Sequence, residues 1–101
     1  DLKARYVIHT VGPVWYGGDK HEVDLLARAY RNSLIVAEGA GLSSLAFPAI
    51  STGVYQFPKR QATEIAMTEV KEFLLSAKVV HKVIFCCSDE EMVQLYTEYL
   101  D

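Results

Sequence analysis

The sequence is poor in cysteine and proline, has no excess of positive charge and no long apolar run, and most of these shortages exclude something. Its only cysteines, Cys86 and Cys87, are adjacent. Neighbouring side chains on a strand point to opposite faces, so these two do not pair with each other and read as small buried hydrophobes. With no second cysteine cluster there is neither a zinc spacing nor a disulfide framework, which fits a reducing compartment. The three histidines, His9, His21 and His81, have no metal-ligand spacing among them. A formal net charge of -3 offers no basic face to a nucleic-acid backbone. No apolar run approaches the roughly 18 residues that cross a bilayer, and no basic-then-apolar leader opens the chain. The expectation is a soluble, cytoplasmic protein without metal or cofactor, and with neither nucleic acid nor membrane as partner.

What is present is enough for one folding unit. In 101 residues, 50% are hydrophobic and 23% charged, the balance of a single small globular domain or of a piece of one. Residues 5–10 (RYVIHT) are β-branched and aromatic and end at Val11-Gly12-Pro13, which predicts a first strand. Residues 14–20 (VWYGGDK) carry two consecutive glycines and read as a loop. From about Glu22 to Glu38, the residues Leu26, Ala29, Tyr30, Ser33, Leu34 and Ala37 recur at helical spacing, and Gly39 and Gly41 stop the pattern.

Residues 44–47 (SLAF) predict a short buried strand before Pro48. Pro58 suits the first turn of a second helix that runs to about Ser76, with Ala62, Ile65, Ala66, Val70, Phe73 and Leu74 on its apolar face. Residues 82–87 (KVIFCC) predict a third strand. Ser88 and Glu91 form a capping-box signature for a last helix with Met92, Val93, Tyr96, Tyr99 and Leu100 on its apolar side. The order is β-α-β-α-β-α, with strands whose continuous apolar character predicts helices on both faces of a mainly parallel or mixed sheet.

In such sheets ligands gather beyond the carboxyl ends of strands, where loops pass into helix N-termini rich in free N-H groups. Residues 49–58 occupy that position. Gly53 has no Cβ and can bring its amide close to an anion, and the hydroxyls of Ser51 and Thr52 can complete a ring of donors beside the ring of Tyr55. On spacing alone a plain turn competes with a phosphate cradle. Other chemistries find less support. A Walker loop needs a second glycine and a Lys-Ser or Lys-Thr pair, and Ser51 lacks the glycine-flanked elbow of a hydrolase nucleophile. His9, the base available to Ser51, lies inside a strand, where a core histidine is the ordinary role. Asp89, Glu90 and Glu91 sit where a helix dipole favours negative charge. Trp15 and Tyr16 either flank a ligand or fold back on the core edge.

Taken together, residues 6–14 (YVIHTVGPV), 45–58 (LAFPAISTGVYQFP) and 83–96 (VIFCCSDEEMVQLY) resemble the macrodomain family, and most closely its O-acetyl-ADP-ribose deacetylases and MacroD-type mono-ADP-ribosyl hydrolases. The resemblance implies a three-layer α/β/α macrodomain with a mixed central sheet, of which residues 1–101 are the C-terminal portion. It implies that Ser51, Thr52, Gly53, Val54 and Tyr55 wrap the pyrophosphate and face the proximal ribose. The partner would be ADP-ribose, O-acetyl-ADP-ribose or an ADP-ribosylated protein.

The family's adenine-recognising acid, its ribose-side asparagine and its glycine-rich catalytic loop find no match here. No catalytic residue is therefore expected in this chain, and an N-terminally incomplete domain is expected, inactive by itself. Two positions depart from the family: Gln56, where glycine is frequent, and Ser88, where an aromatic residue tends to lie near the adenine. The reading divides between a hydrolase of esters on ADP-ribose and a non-catalytic ADP-ribose reader, with a remnant that binds nothing as a third possibility.

Overall fold

A computed structural model describes residues 12–48, 50, 56–86 and 90–98. The expected strand at 5–10, the stretch 51–55 and the capping residue Ser88 lie outside them. Five elements follow in order: α1 (Glu22–Gly39), β1 (Ser44–Phe47), α2 (Lys59–Ser76), β2 (Lys82–Phe85) and α3 (Glu90–Glu98).

α1 buries the face that its sequence periodicity defines: Leu26, Ala29, Tyr30, Ser33, Leu34 and Ala37. Its end is a Schellman motif. Gly41 takes φ 75, the amide of Leu42 donates to the carbonyl of Ala37 at 3.0 Å and that of Gly41 to Glu38 at 3.2 Å. The left-handed turn is one that glycine enters without a Cβ penalty.

α2 begins one residue later than the sequence suggested, with Pro58 as its N-cap at φ -55 and ψ 126. The ring's fixed φ suits that place, and its carbonyl accepts the amide of Ala62 at 2.9 Å. The helix buries Ala62, Thr63, Ala66, Met67 and Val70, while Ile65, Phe73 and Leu74 pack partly against the core. In α3 the buried residues are Met92, Leu95 and Tyr96. Val93, expected inside, is 47% exposed, because spacings of three and four from Met92 put Leu95 and Tyr96 on the inner face instead.

β1 and β2 pair in parallel, with Ser44 opposite Lys82 and Phe47 opposite Phe85. Both strands alternate. Leu45, Phe47, Val83 and Phe85 meet the core, whereas Ser44, Ala46, Lys82 and Ile84 are exposed. The three helices feed one cluster, and among the described residues it covers one face of the sheet. β2 ends at Phe85, so Cys86 lies beyond the strand and is exposed, not buried as expected.

A run of aromatic rings crosses this core. Tyr30 of α1 meets Phe47 edge-on at 4.9 Å between centroids, Phe47 lies 6.1 Å from Phe85, and Phe85 stacks on Tyr96 of α3 at 4.5 Å. Such pairs contribute roughly 0.5–1.5 kcal/mol each beyond the area they bury. Ion pairs tie the helices outside: Arg31 with Glu69, Lys59 with Glu91 and Arg60 with Glu98. All three have an exposed partner and contribute little each.

Candidate functional site

Because β1 and β2 are parallel, their carboxyl ends share one edge of the sheet. The ladder runs one step past it, the amide of Cys86 donating to the carbonyl of Phe47 at 2.8 Å. From this edge one connection leads from Phe47 to α2 and another from Phe85 to α3.

Charge distinguishes the two helix starts that face it. α3 opens with Glu90 and Glu91, which already satisfy the positive end of its dipole. α2 opens with Lys59 and Arg60, has no acid in its first turn and no side-chain cap. Of the two, the α2 start is the one suited to an anion.

Ser51, Thr52, Gly53, Val54 and Tyr55 lie outside the described residues, but both flanks of the stretch are defined. Ile50 is buried on one side and Phe57 is 1% exposed on the other, both in the core cluster. Both ends of the interval are therefore held in the core. Gln56 takes φ 60, a left-handed conformation that costs a residue with a Cβ and that glycine adopts freely.

The double-glycine loop reaches this flank. Trp15 folds onto Phe57 with ring centroids 4.8 Å apart, the inward of its two expected roles, while Tyr16 is 65% exposed. Gly17 and Gly18 take φ 89 and 94, and a Cβ at Gly18 would sit 3.3 Å from the Trp15 ring.

Glu22 holds the loop in this shape. At 1% exposure, its carboxylate accepts the amide of Tyr16 at 2.7 Å, of Gly18 at 3.1 Å and of Lys20 at 2.6 Å. Burial works to raise its pKa, but the amides of Tyr16, Glu22 itself, Lys20 and Gly18 outweigh it and hold the group at about 2. In the sequence this position marks only the start of a helix. The available signal was an acid a few residues after two glycines that need fixing.

Glu38 plays the matching part at the opposite end of α1, accepting the amides of Lys78, Val79 and Val80. His21 forms the α1 N-cap at φ 59 without a side-chain cap, and His81 contacts the carbonyl of Val79 through Nδ1. Among the described residues no three His, Cys, Asp or Glu side chains cluster as a metal site, and no helix is long and apolar enough to cross a membrane.

Parallel β1 and β2 joined through α2 define an α/β module, the architecture in which ligands gather beyond the carboxyl ends of strands. The chain belongs to the macrodomain family: the Macro domain model matches residues 1–66. It is 52% identical over 99 residues to an O-acetyl-ADP-ribose deacetylase of Salmonella newport, covering 98% of this chain and 55% of that protein. It is 54% identical over 95 residues to a macro domain-containing protein of Mesorhizobium japonicum, covering 94% of this chain and 54% of that protein. A variant of the Oceanobacillus iheyensis macrodomain solved with ADPR superposes with a TM-score of 0.91 at 39% identity, over 98% of this chain and 53% of that one. The Trypanosoma brucei macrodomain in complex with ADP-ribose superposes with a TM-score of 0.87 at 37% identity, over 97% and 40%. The chain thus spans about half the length of the curated relatives it matches.

Proposed function

We propose that this chain is the C-terminal, pyrophosphate-holding portion of a macrodomain that hydrolyses an ester carried on ADP-ribose, either O-acetyl-ADP-ribose or an ADP-ribosylated acidic side chain. The observation that carries the reading is the 52% identity, over 98% of the chain, to a protein named O-acetyl-ADP-ribose deacetylase, and the relative solved with ADPR supports it.

In this reading the amides of Ser51, Thr52, Gly53, Val54 and Tyr55 grip the pyrophosphate at the α2 start, where Lys59 and Arg60 leave the dipole unopposed. The loop then orients the proximal ribose and its ester, and catalysis rests on that positioning. Water activation belongs to the part of the relatives that this chain does not span.

Calorimetric titration with ADP-ribose tests the binding, and chromatographic assay of O-acetyl-ADP-ribose tests the reaction. Saturable binding together with ester hydrolysis by the complete domain is expected. Binding without turnover would make it a reader, and no binding at all would remove the assignment.

A further inference from the structure

We infer that Glu22 is a positioning residue for the pyrophosphate loop, acting through Trp15 and Phe57. The inference rests on the ADP-ribose reading above and adds to it a device outside residues 51–55.

The contacts form a continuous path. The Glu22 carboxylate fixes the amide of Tyr16 at 2.7 Å, which sets the neighbouring Trp15. Trp15 lies on Phe57 at 4.8 Å, and Phe57 is buried two residues after Tyr55. The strained φ of 60 at Gln56 falls between that anchor and Tyr55, so the return point is held by packing and not by local preference.

The carboxylate is chemically required. One of its oxygens accepts from Tyr16 and Gly18 and the other from Lys20. A carboxamide in either orientation sets an NH2 group against at least one of these backbone donors. A buried acid surrounded by loop amides does more than begin a helix, since an exposed acid in the same turn, such as Asp24, serves the dipole equally well.

The test measures ADP-ribose affinity by calorimetry in Glu22→Gln, Trp15→Ala and the double variant, with far-UV circular dichroism and melting as checks on folding. Trp15 is followed as 5-fluorotryptophan by 19F NMR. Glu22→Gln and Trp15→Ala are each expected to weaken ADP-ribose on the order of tenfold. The double variant is expected to lose no more than the larger single loss, because both act through one contact. The fluorine resonance should move in Glu22→Gln before ligand is added, and Trp15→Phe, which keeps a ring on Phe57, should recover most of the affinity that Trp15→Ala loses.

A folded Trp15→Ala protein with wild-type affinity overturns the inference, and so do fully additive losses. The first of these outcomes is decisive even where Glu22→Gln fails to fold. A complete wild-type domain that does not bind ADP-ribose removes the ADP-ribose reading, and this inference with it. Wild-type binding with unchanged variants removes this inference alone.

Discussion

The carboxylate of Glu38, one residue before the end of α1, accepts the amide of Val80 at 2.8 Å, two residues before β2 begins. With Lys78 and Val79 donating to the same group, one side chain organises the whole turn from α2 into the sheet. Glu38→Ala leaves these amides without their acceptor. A lower melting temperature is expected, with faster amide exchange at Val80, while α1 keeps its helicity because its Schellman end is independent of the side chain. Unchanged exchange at Val80 would contradict this.

Glu22 and Glu38 also set the acid limb of stability. Glu22 is held at about 2 against an ordinary 4.5. The Glu38 pKa is lowered by the amides of Val80 and Lys78 against an opposing effect of burial, with further help from Val79 and the Lys78 charge. For both, a folded pKa below the unfolded one means that the contribution is complete above about pH 4.5 and fades with acid, for Glu22 as pH falls toward about 2. Urea melts between these values should show stability falling with acid, and Glu22→Gln with Glu38→Gln should flatten that limb while lowering the neutral plateau.

Phe47 stands at the crossing of the aromatic run, touching Tyr30 and Phe85. Phe47→Ala should cost roughly 3–5 kcal/mol in denaturant melts. Ile84→Ala, on the exposed face of the sheet, should cost under about 1 kcal/mol. Equal costs would contradict the burial of only one face of the sheet among the described residues.

Gly53→Glu should abolish ADP-ribose binding in the complete domain and leave the fold intact. On the proposed role of residues 51–55, a side chain there would obstruct the approach of an amide to the pyrophosphate, and a carboxylate would add like-charge repulsion. Loss of two charge-assisted hydrogen bonds at roughly 1.5–3 kcal/mol each weakens binding by two orders of magnitude or more. Ser88→Tyr, which on the macrodomain resemblance would offer the adenine a stacking surface, should move affinity the other way. Calorimetry on folded variants checks both.

Gln56→Gly should be neutral to stabilising by up to about 1 kcal/mol. Relief of the left-handed φ opposes the extra freedom that glycine gives the unfolded chain. A clear loss of stability would mean that the Gln56 side chain contributes a contact of its own.

Much of this arrangement is legible in the sequence, for identifiable reasons. α1 is long enough that its spacing admits one face, and Gly41 marks its end by a conformation few other residues accept. α3 has nine residues, so Val93 and Leu95 compete for the inner position and pattern alone does not choose. The alternation of the two four-residue strands was hidden, since Ala46 and Ile84 are apolar yet exposed. Residues 51–55 read as a plain turn or a phosphate cradle by spacing, and only the resemblance to macrodomains favoured the second. The roles of Glu22 and Glu38 were invisible for a different reason: their partners are backbone amides, which every residue but proline possesses and which leave no mark on a sequence.

The parallel register that joins Ser44 to Lys82 has a consequence for the order of folding. A hairpin can begin to zip from its turn, but parallel neighbours gain no hydrogen bond until the intervening chain has closed back on itself. Here that chain is α2, whose inner face must find Leu26, Tyr30 and Leu34 of α1 first. The helical pair is thus expected to form first, with β2 docking late. The edge from which both connections leave takes shape only when β2 docks. On the proposed function, ligand bound at this edge would favour the last step of folding and slow unfolding more than it speeds folding.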